Sequence, residues 1–343
     1  MGPVSLIVTV LNDVAGTQKF LDRMEEQTYR PDEIIVCDAG STDGTWELLQ
    51  TYAASGPIPL VAVQEKRCAV ARGRNIGASH AKYDYIAITD IGCDWEAEWM
   101  ADLLQPIASE QAETVIGSWR VRWQDQETRW AKADFVLGHG YKFLATPQSH
   151  GCNRSVVHSK EIYWRLGGMP EDLTFAGEDS TFARLILHAT KRIGATREPR
   201  CIWERPQTWR AIMKETRRNF KADGEAGLGA RHVVLTAFRL MVEIVCVLLF
   251  LTAWALPTAY SLPVQLASST ATLTLLWLRL SAYRRRRRDA IAEAQHVPLL
   301  DMFLLDYARR YWCIIGYLEG WNIGRTRCQN CRARLRAAGV TWW

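Results

Sequence analysis

Residues 85–94 read Tyr-Ile-Ala-Ile-Thr-Asp-Ile-Gly-Cys-Asp, an apolar run that ends in two carboxylates, Asp90 and Asp94. This pattern predicts a buried strand over 85–89 with an acid directly behind its carboxyl end. In parallel α/β sheets, ligands bind beyond the carboxyl ends of the strands, so Asp90 stands where a binding site is expected. The alternative interpretation is that Asp90 only caps a helix predicted over 95–104.

Strand-like and helix-like segments alternate before this stretch. Apolar, β-branched runs at 4–11, 33–37 and 60–63 predict strands, and each is followed by residues with helical spacing, the last of them over 70–81. Strands and helices that alternate in this way indicate a parallel, doubly wound α/β sheet.

Polar residues follow three of these strands. Asn12, Asp38 and Asp90 each stand just after a strand, and the carboxyl ends of parallel strands share one edge of a sheet. Each residue alone is typical of a turn, but the three together favour a ligand site at that edge.

The sequence lacks the familiar phosphate-binding loops. The turn after the first strand, residues 11–16, reads Leu-Asn-Asp-Val-Ala-Gly rather than Gly-x-Gly-x-x-Gly, and no Gly-Lys-Ser/Thr loop occurs. A nucleotide could instead be bound through its base and ribose near Asp38. A divalent cation on Asp90, Mg²⁺ or Mn²⁺, would then neutralise its diphosphate, because both ions prefer oxygen ligands.

Charge and cysteine usage narrow the class of protein further. Much of the net charge of +5 lies in the last third of the chain, where Arg284–Arg288 form an uninterrupted run, so we expect no nucleic acid partner. The nine cysteines have no framework spacing, which favours a reducing, cytosolic setting. The close pair Cys328 and Cys331 lacks the further ligands of a zinc site.

Several of these segments together resemble family 2 glycosyltransferases of the GT-A fold, over about two thirds of the chain. The resemblance implies a nucleotide-diphosphate sugar as donor and a Rossmann-like GT-A sheet. The motifs that carry it are residues 4–13 (Val-Ser-Leu-Ile-Val-Thr-Val-Leu-Asn-Asp), 38–45 (Asp-Ala-Gly-Ser-Thr-Asp-Gly-Thr), 74–77 (Arg-Asn-Ile-Gly), 167–171 (Gly-Gly-Met-Pro-Glu) and 177–179 (Gly-Glu-Asp).

The resemblance also implies roles for individual residues. Asp90 takes the place of the first acid of the family's Asp-x-Asp metal motif, but Gly92 stands where the second acid is expected, in an Asp-x-Gly-Cys variant. Asp94 is then the candidate for a second metal ligand. The donor-binding residues that it implies are Thr9, Leu11 and Asp38 at the nucleoside, Arg74 near the diphosphate, and Asn12, Asn75 and Asp90.

The acidic pair Glu178 and Asp179 is the expected catalytic element, with Asp179 as the general base. Apolar residues at helical spacing from Phe182 onward predict that a helix begins near Asp179, whose carboxylate then lies at the positive end of the helix dipole. An inverting sugar transfer needs one such base to accept the proton of the acceptor hydroxyl. The alternative is an ordinary acidic helix start.

Two apolar segments, 238–256 and 264–280, predict a transmembrane helical hairpin with Pro257 and Pro263 at its turn. The positive-inside rule places Arg284–Arg288 in the cytoplasm, and two crossings keep the catalytic domain on the same side. A re-entrant or interfacial helix pair is the alternative, because Arg239 and Glu243 interrupt the first segment.

The segments that flank this hairpin also carry predictions. A basic helix with Arg210, Lys214 and Arg218 could meet phosphates or anionic headgroups, and residues 299–321 resemble an amphipathic surface helix. In that surface helix Gly316 and Gly320 would permit close packing on a neighbour. The predicted domains are a catalytic domain over 1–230, the hairpin over 231–283 and a basic segment with the amphipathic tail over 284–343.

The predicted function is a membrane-anchored, inverting, metal-dependent glycosyltransferase at the cytoplasmic face of the inner or plasma membrane. It would move a sugar from a nucleotide-diphosphate donor to a glycan or lipid-linked acceptor. Two alternatives stay open. Gly92 would suit a non-catalytic protein that binds nucleotide sugars. A processive polysaccharide synthase is disfavoured because two spans are too few for an export channel and no Gln-x-x-Arg-Trp segment occurs.

Overall fold

The computed structural model describes residues 2–138, 140–174, 176–255 and 258–340, which form two compact units. The first unit is built from described residues within 1–125, 142–205 and 321–341, and the second from those within 126–141 and 206–320. The strands are β1 Val4–Val10, β2 Glu33–Asp38, β3 Leu60–Gln64, β4 Tyr85–Ile88, β5 Cys93–Trp95, β6 Thr114–Ile116, β7 Trp119–Arg120, β8 Lys142–Phe143, β9 Val156–Ser159, β10 Ile193–Ala195 and β11 Cys201–Trp203. The helices are α1 Val14–Glu25, α2 Thr45–Ser55, α3 Val70–His80, α4 Trp99–Glu110, α5 Arg129–Leu137, α6 Lys160–Arg165, α7 Glu178–Ala189, α8 Trp209–Ala226, α9 Ala230–Ala255, α10 Thr258–Ala290, α11 Leu299–Gly324 and α12 Gln329–Ala337.

A sheet of seven strands in the order β10-β6-β9-β4-β1-β2-β3 forms the centre of the first unit. The pairs β1–β2, β2–β3 and β1–β4 are parallel, as the alternation of strands and helices predicts. The sheet is not parallel throughout, because β9 lies antiparallel between β4 and β6. Its four residues were too few and too polar in their surroundings to be recognised as a strand from the sequence.

Helix α3 approaches strand β1 unusually closely, and two glycines make this possible. A Cβ atom on Gly77 would come within 2.5 Å of Ile7 Cγ2, and one on Gly73 within 2.8 Å of Thr9 Cγ2. Glycine is the residue that permits such an approach of backbone to a neighbour. The contact holds Arg74 and Asn75, which lie between the two glycines, at a set height above the sheet.

The chain after β4 differs from its prediction. Residues 93–95 form strand β5, which pairs antiparallel with β11 in a second sheet of order β5-β11-β7-β8, and helix α4 begins only at Trp99. Cys93, Asp94 and Trp95 are each almost completely buried. The chain buries them by pairing this short strand with a distant segment, and the helix cannot begin before the strand ends. Asp90 therefore does not cap α4, whose N-cap position is Glu98.

The second unit contains the long helices α8, α9 and α10 and most of α11. Helix α9 is long and apolar enough to cross a bilayer by length and composition, and among the described residues it alone meets that criterion. Helix α10 does not, because serine, threonine and a terminal arginine run dilute its apolar residues. Pro263 lies inside α10 rather than at the predicted turn, and Pro257 falls outside the described residues.

A helix over the predicted range is present as α11, and its glycines pack closely on a neighbour as expected. A Cβ atom on Gly316 would come within 2.5 Å of the carbonyl oxygen of Arg217, and one on Gly320 within 1.9 Å of that of Lys221. Helix α11 therefore lies directly against the backbone of α8. The boundaries of the two compact units do not coincide with the three predicted domain ranges, which remain a proposal about function and membrane position.

Candidate active site

The loops after β1 and β2 are joined around Asp38, the last residue of β2. Asp38 is completely buried, and its carboxylate accepts hydrogen bonds from the backbone N–H of Ser41 at 3.1 Å, from the Ser41 hydroxyl and from Gln64 Nε2 at 2.7 Å. Three donors on one buried carboxylate make a rigid turn. Asp38 therefore sets the shape of this end of the sheet as well as its charge.

Asn12 ties the first loop to the same turn. Its backbone has a φ of 52°, a left-handed conformation that asparagine tolerates better than most residues. Its side-chain oxygen accepts from the backbone N–H of Thr42 at 2.8 Å, and its own N–H donates to the hydroxyl of Ser41 at 2.8 Å. Asn12 thus supports the loop that surrounds Asp38. Of the other predicted nucleoside residues, Thr9 lies half-buried under α3 and Leu11 is exposed.

Arg74 joins two parts of the predicted site that are distant in the sequence. Its buried guanidinium pairs with Asp90, behind the carboxyl end of β4, and with Glu178, at the start of α7. Burial by itself would lower the pKa of Arg74, but the carboxylates of Asp90, Glu178 and Asp179 outweigh it and raise the pKa. The structure therefore brings Arg74, Asp90 and Glu178 together, as the sequence predicts for a common site.

The two acids at the start of α7 differ in environment. Burial raises the pKa of Glu178, the charge of Arg74 opposes that shift, and the neighbouring Asp179 adds to it. Asp179 has no ion pair among the described residues. It accepts a hydrogen bond from the N–H of Ser180 at 2.6 Å and lines a cavity together with Asn153 and His158. Asp179 is consequently the acid with an accessible carboxylate, and Glu178 is occupied by Arg74.

Asp90 is the one predicted metal ligand that the structure places at the site. Its side chain is 39% exposed, and the contact with Arg74 uses one of its two carboxylate oxygens. Within the described part of the chain, no cluster of three or more His, Cys, Asp or Glu side chains is arranged to hold a metal. A single carboxylate still fits Mg²⁺ or Mn²⁺, because these ions are often held by one or two carboxylates together with substrate phosphates.

Asp94 lies in a different environment, and we correct its prediction as a metal ligand. Its carboxylate is 5% exposed and pairs with Arg23 at 2.9 Å, with Arg122 at 3.1 Å and with Lys19 at 3.8 Å. Burial tends to raise the pKa of Asp94, but Lys19 and Arg23 lower it overall. A carboxylate surrounded by three cations in this way joins β5 to α1 and is not available to a metal.

Asn75 contacts protein rather than open space. Its amide nitrogen donates to the carbonyl of Met169 at 2.9 Å and to Glu171 at 2.7 Å, and its oxygen accepts from the hydroxyl of Tyr163 at 2.7 Å and from the N–H of Met169 at 2.8 Å. All the hydrogen-bonding capacity of the amide is used. Asn75 therefore anchors the segment 167–171 to α3 instead of presenting its side chain to a donor.

One arginine at this edge has no counterpart in the predictions. Arg154 immediately precedes the segment that enters β9, and its guanidinium lies 3.5 Å from the ring centre of Trp203. Burial lowers the pKa of Arg154, but Cys152, Asp90 and Asp179 raise it overall. The antiparallel strand β9 brings Arg154 to the site. Because the sequence gives no clear strand signal over 156–159, it also gives none for Arg154.

These features agree with a known fold. The mixed α/β sheet of the first unit is that of the GT-A fold. A solved structure with the same fold is the mannosyltransferase PcManGT from Pyrobaculum calidifontis in complex with GDP-Man and Mn²⁺. It matches this protein with a TM-score of 0.51 at 22% identity, over 98% of this chain and 86% of that chain.

The sequence match covers a little less than half of the chain. Residues 5–162 match the family model described as glycosyl transferase family 2. The resemblance noted in the motifs is thereby confirmed.

Curated relatives match shorter stretches of the chain. Glycosyltransferase GlyG of Streptococcus pneumoniae serotype 4 is 29% identical over 116 residues, which are 34% of this chain and 38% of GlyG. WfaP of Escherichia coli, named a UDP-Glc:alpha-D-GlcNAc-diphosphoundecaprenol beta-1,3-glucosyltransferase, is 32% identical over 93 residues, which are 27% of this chain and 36% of WfaP. Both matches span well under two thirds of the relatives' own length.

Proposed function

We propose that this protein is a membrane-anchored, inverting glycosyltransferase that moves a sugar from a nucleotide-diphosphate donor to a glycan or lipid-linked acceptor. One observation carries the proposal. Arg74 holds Asp90, behind the carboxyl end of β4, and Glu178, beside Asp179 at the start of α7, in a single cluster. A pair of acids with separate duties, one at the donor and one at the acceptor, is what a sugar transfer by direct displacement requires.

Asp179 is the general base in this proposal. Its carboxylate is unpaired within the described residues, lines a cavity and lies at the positive end of the α7 dipole, where a negative charge is stabilised. It would accept the proton of the acceptor hydroxyl while the nucleoside diphosphate leaves from the opposite face of the sugar. Glu178 cannot serve equally well, because it is buried against Arg74. Its duty is to orient Arg74.

Asp90 is the residue that would hold a divalent cation, Mg²⁺ or Mn²⁺. Such a cation supplies positive charge to the leaving diphosphate. With one protein carboxylate available, the diphosphate itself must supply further oxygens, so metal and donor are expected to bind together. The protein's own part is to orient Asp90, and the contact with Arg74 does so.

The anchor would be the helices α9 and α10. Large apolar side chains on α9 are exposed in the described structure, among them Phe238, Leu248 and Trp254. A bilayer is the environment that suits such a face. Beyond it, Arg284, Arg285 and Arg288 are exposed on α10, and their charge would meet anionic headgroups on the cytoplasmic side.

The acceptor class is suggested by the relatives. WfaP is named for a diphosphoundecaprenol-linked sugar acceptor, and a membrane-anchored enzyme would meet such a lipid-linked substrate at the bilayer surface. A lipid-linked glycan is therefore the first acceptor to test. A processive synthase would instead extend one acceptor by many residues, so the length of the product separates the two functions.

The test is nucleoside diphosphate release from a panel of nucleotide-diphosphate sugars in Mn²⁺, by the full chain and by Asp179→Asn. We expect turnover with one donor and a loss of about 10²- to 10⁴-fold in the variant, with donor binding retained, because only proton transfer is removed. Glu161→Gln is the control, since that carboxylate is 76% exposed on α6 and belongs to no site. Donor binding without turnover in the full chain would favour a non-catalytic binding protein.

A further inference from the structure

Arg154 precedes β9 and Asp90 follows β4, and these two strands pair antiparallel. The register sets Ile88 against Val156. Continued by two residues beyond this pair, the register would set Asp90 against Arg154. The hydroxyl of Thr89 donates to the carbonyl of Arg154 at 2.7 Å, so the two segments stay side by side beyond the last strand pair. The carboxylate of Asp90 thus pairs with Arg74, and its charge also acts on Arg154.

The guanidinium of Arg154 is held by an aromatic wall from the second sheet. It lies 3.5 Å from the ring centre of Trp203 and 5.3 Å from that of Trp119, and these two indoles meet edge to face at 89°. A guanidinium stacked on an aromatic face keeps its N–H donors at its rim, where they can bind a planar or tetrahedral oxyanion. Trp203 therefore orients Arg154 without using its hydrogen bonds.

Arg154 and Arg74 differ in their ion-pair and hydrogen-bond partners within the protein. Arg74 contacts Asp90 and Glu178, so its donors to that side are engaged. No described carboxylate lies within ion-pair distance of Arg154, its Nε is buried without a hydrogen-bond partner, and the thiol of Cys152 is the polar side chain beside it. Leaving a buried charged donor unsatisfied is costly, so a ligand is the expected partner.

We propose that Arg154, and not Arg74, is the residue that binds the diphosphate of the nucleotide substrate, while Arg74 positions Asp90 and Glu178. This inference rests on the proposed glycosyltransferase function. An arginine near Asp90 suits the binding of a diphosphate, because the cation expected on Asp90 and the guanidinium would both offer positive charge to it.

The test is equilibrium binding of UDP, GDP, CDP and ADP, each compared with its monophosphate, in Mn²⁺. We expect Arg154→Gln to lose about 10- to 100-fold in affinity for the diphosphate that the full chain binds, because hydrogen bonds to a charged group are lost. The affinity of Arg154→Gln for the monophosphate should stay close to that of the unchanged protein. Retained monophosphate binding also shows that the nucleoside pocket of the variant is folded. Arg154→Lys should recover part of the loss.

Arg129→Gln is the matched control, because Arg129 also stacks on an indole, 4.2 Å from the ring centre of Trp130. Among the described residues its one ion pair is with Asp301 at 3.9 Å, outside the candidate site. Unchanged diphosphate affinity in Arg154→Gln, or an equal loss for mono- and diphosphate, would overturn the assignment of Arg154 alone. If the full chain bound none of the diphosphates, the proposed function would fail as well, so the two failures are distinguishable.

Discussion

The replacement of Arg74 by glutamine tests the charge cluster at the centre of the site. Arg74 is 3% exposed and pairs with Glu178, whose side chain is 9% exposed, and with the more exposed Asp90. Arg74→Gln removes the cation and leaves Glu178 as a buried carboxylate without its counter-charge. The loss of stability comes mainly from Glu178, because water can solvate the more exposed Asp90.

The size of the effect follows from this burial. Breaking a buried ion pair by removing one member costs about 3–5 kcal/mol of the free energy of unfolding. For a unit of this size each kcal/mol shifts the melting temperature by about 2–4 °C, so a decrease of about 6–20 °C is expected. Thermal unfolding in detergent, followed by near-UV circular dichroism, measures it.

The loss should depend on pH in a defined direction. Burial already raises the pKa of Glu178 and Arg74 opposes that shift, so removing Arg74 must raise the pKa further. A carboxyl whose pKa is higher in the folded state binds its proton more tightly there, and stability is lost as the pH rises through that folded pKa. The melting temperature of Arg74→Gln should therefore recover partly as the pH is lowered, more than that of the unchanged protein.

The neighbouring Arg72 provides the control on the same helix. Its side chain is 50% exposed and pairs with Glu65 and Glu171 at the surface, where water screens the charges, so Arg72→Gln should change the melting temperature little. A decrease for Arg74→Gln no larger than that for Arg72→Gln would refute the buried cluster. So would a decrease that does not change with pH.

Two further predictions concern the corrected metal ligand and the packing of α11. Asp94→Asn should lower the melting temperature, because Arg23 loses its buried counter-charge, but the Mn²⁺ concentration needed for donor turnover should not change. A higher Mn²⁺ requirement would reinstate Asp94 as a ligand. Gly320→Ala should cost about 1–3 kcal/mol of stability, since its Cβ would come within 1.9 Å of the carbonyl oxygen of Lys221. An unchanged melting temperature would contradict the close approach of α11 to α8.

Much of the site could be predicted because its signals are local. The strands β1, β2 and β4 are buried on both faces, so each appears in the sequence as an apolar run, and the residue behind each run can be identified without knowledge of the pairing. Asp38 and Asp90 were located in this way. The start of α7 was predicted from helical periodicity, which is equally local.

Other predictions failed where a contact joins distant segments. Asp94 looks like a second ligand beside Asp90 in the sequence, yet the pairing of β5 with β11 turns its carboxylate towards Lys19, Arg23 and Arg122. Asn75 looks like a donor-binding residue, yet it anchors the segment that begins at Gly167. Spacing along the chain carries no information about such partners.

The sequence by itself determined the resemblance to family 2 glycosyltransferases, the alternating α/β order and the acids at the strand ends, because hydrophobic periodicity and short motifs are properties of neighbouring residues. Only the tertiary structure decided how these acids are used. It inserts β9 beside β4, which brings Arg154 to the same edge of the sheet as Asp90, and it lets Arg74 bind Asp90 and Glu178 at once. The physical reason is that ion pairs and strand registers depend on distances in space, and residues 74, 90, 154 and 178 become neighbours only when the sheet is formed.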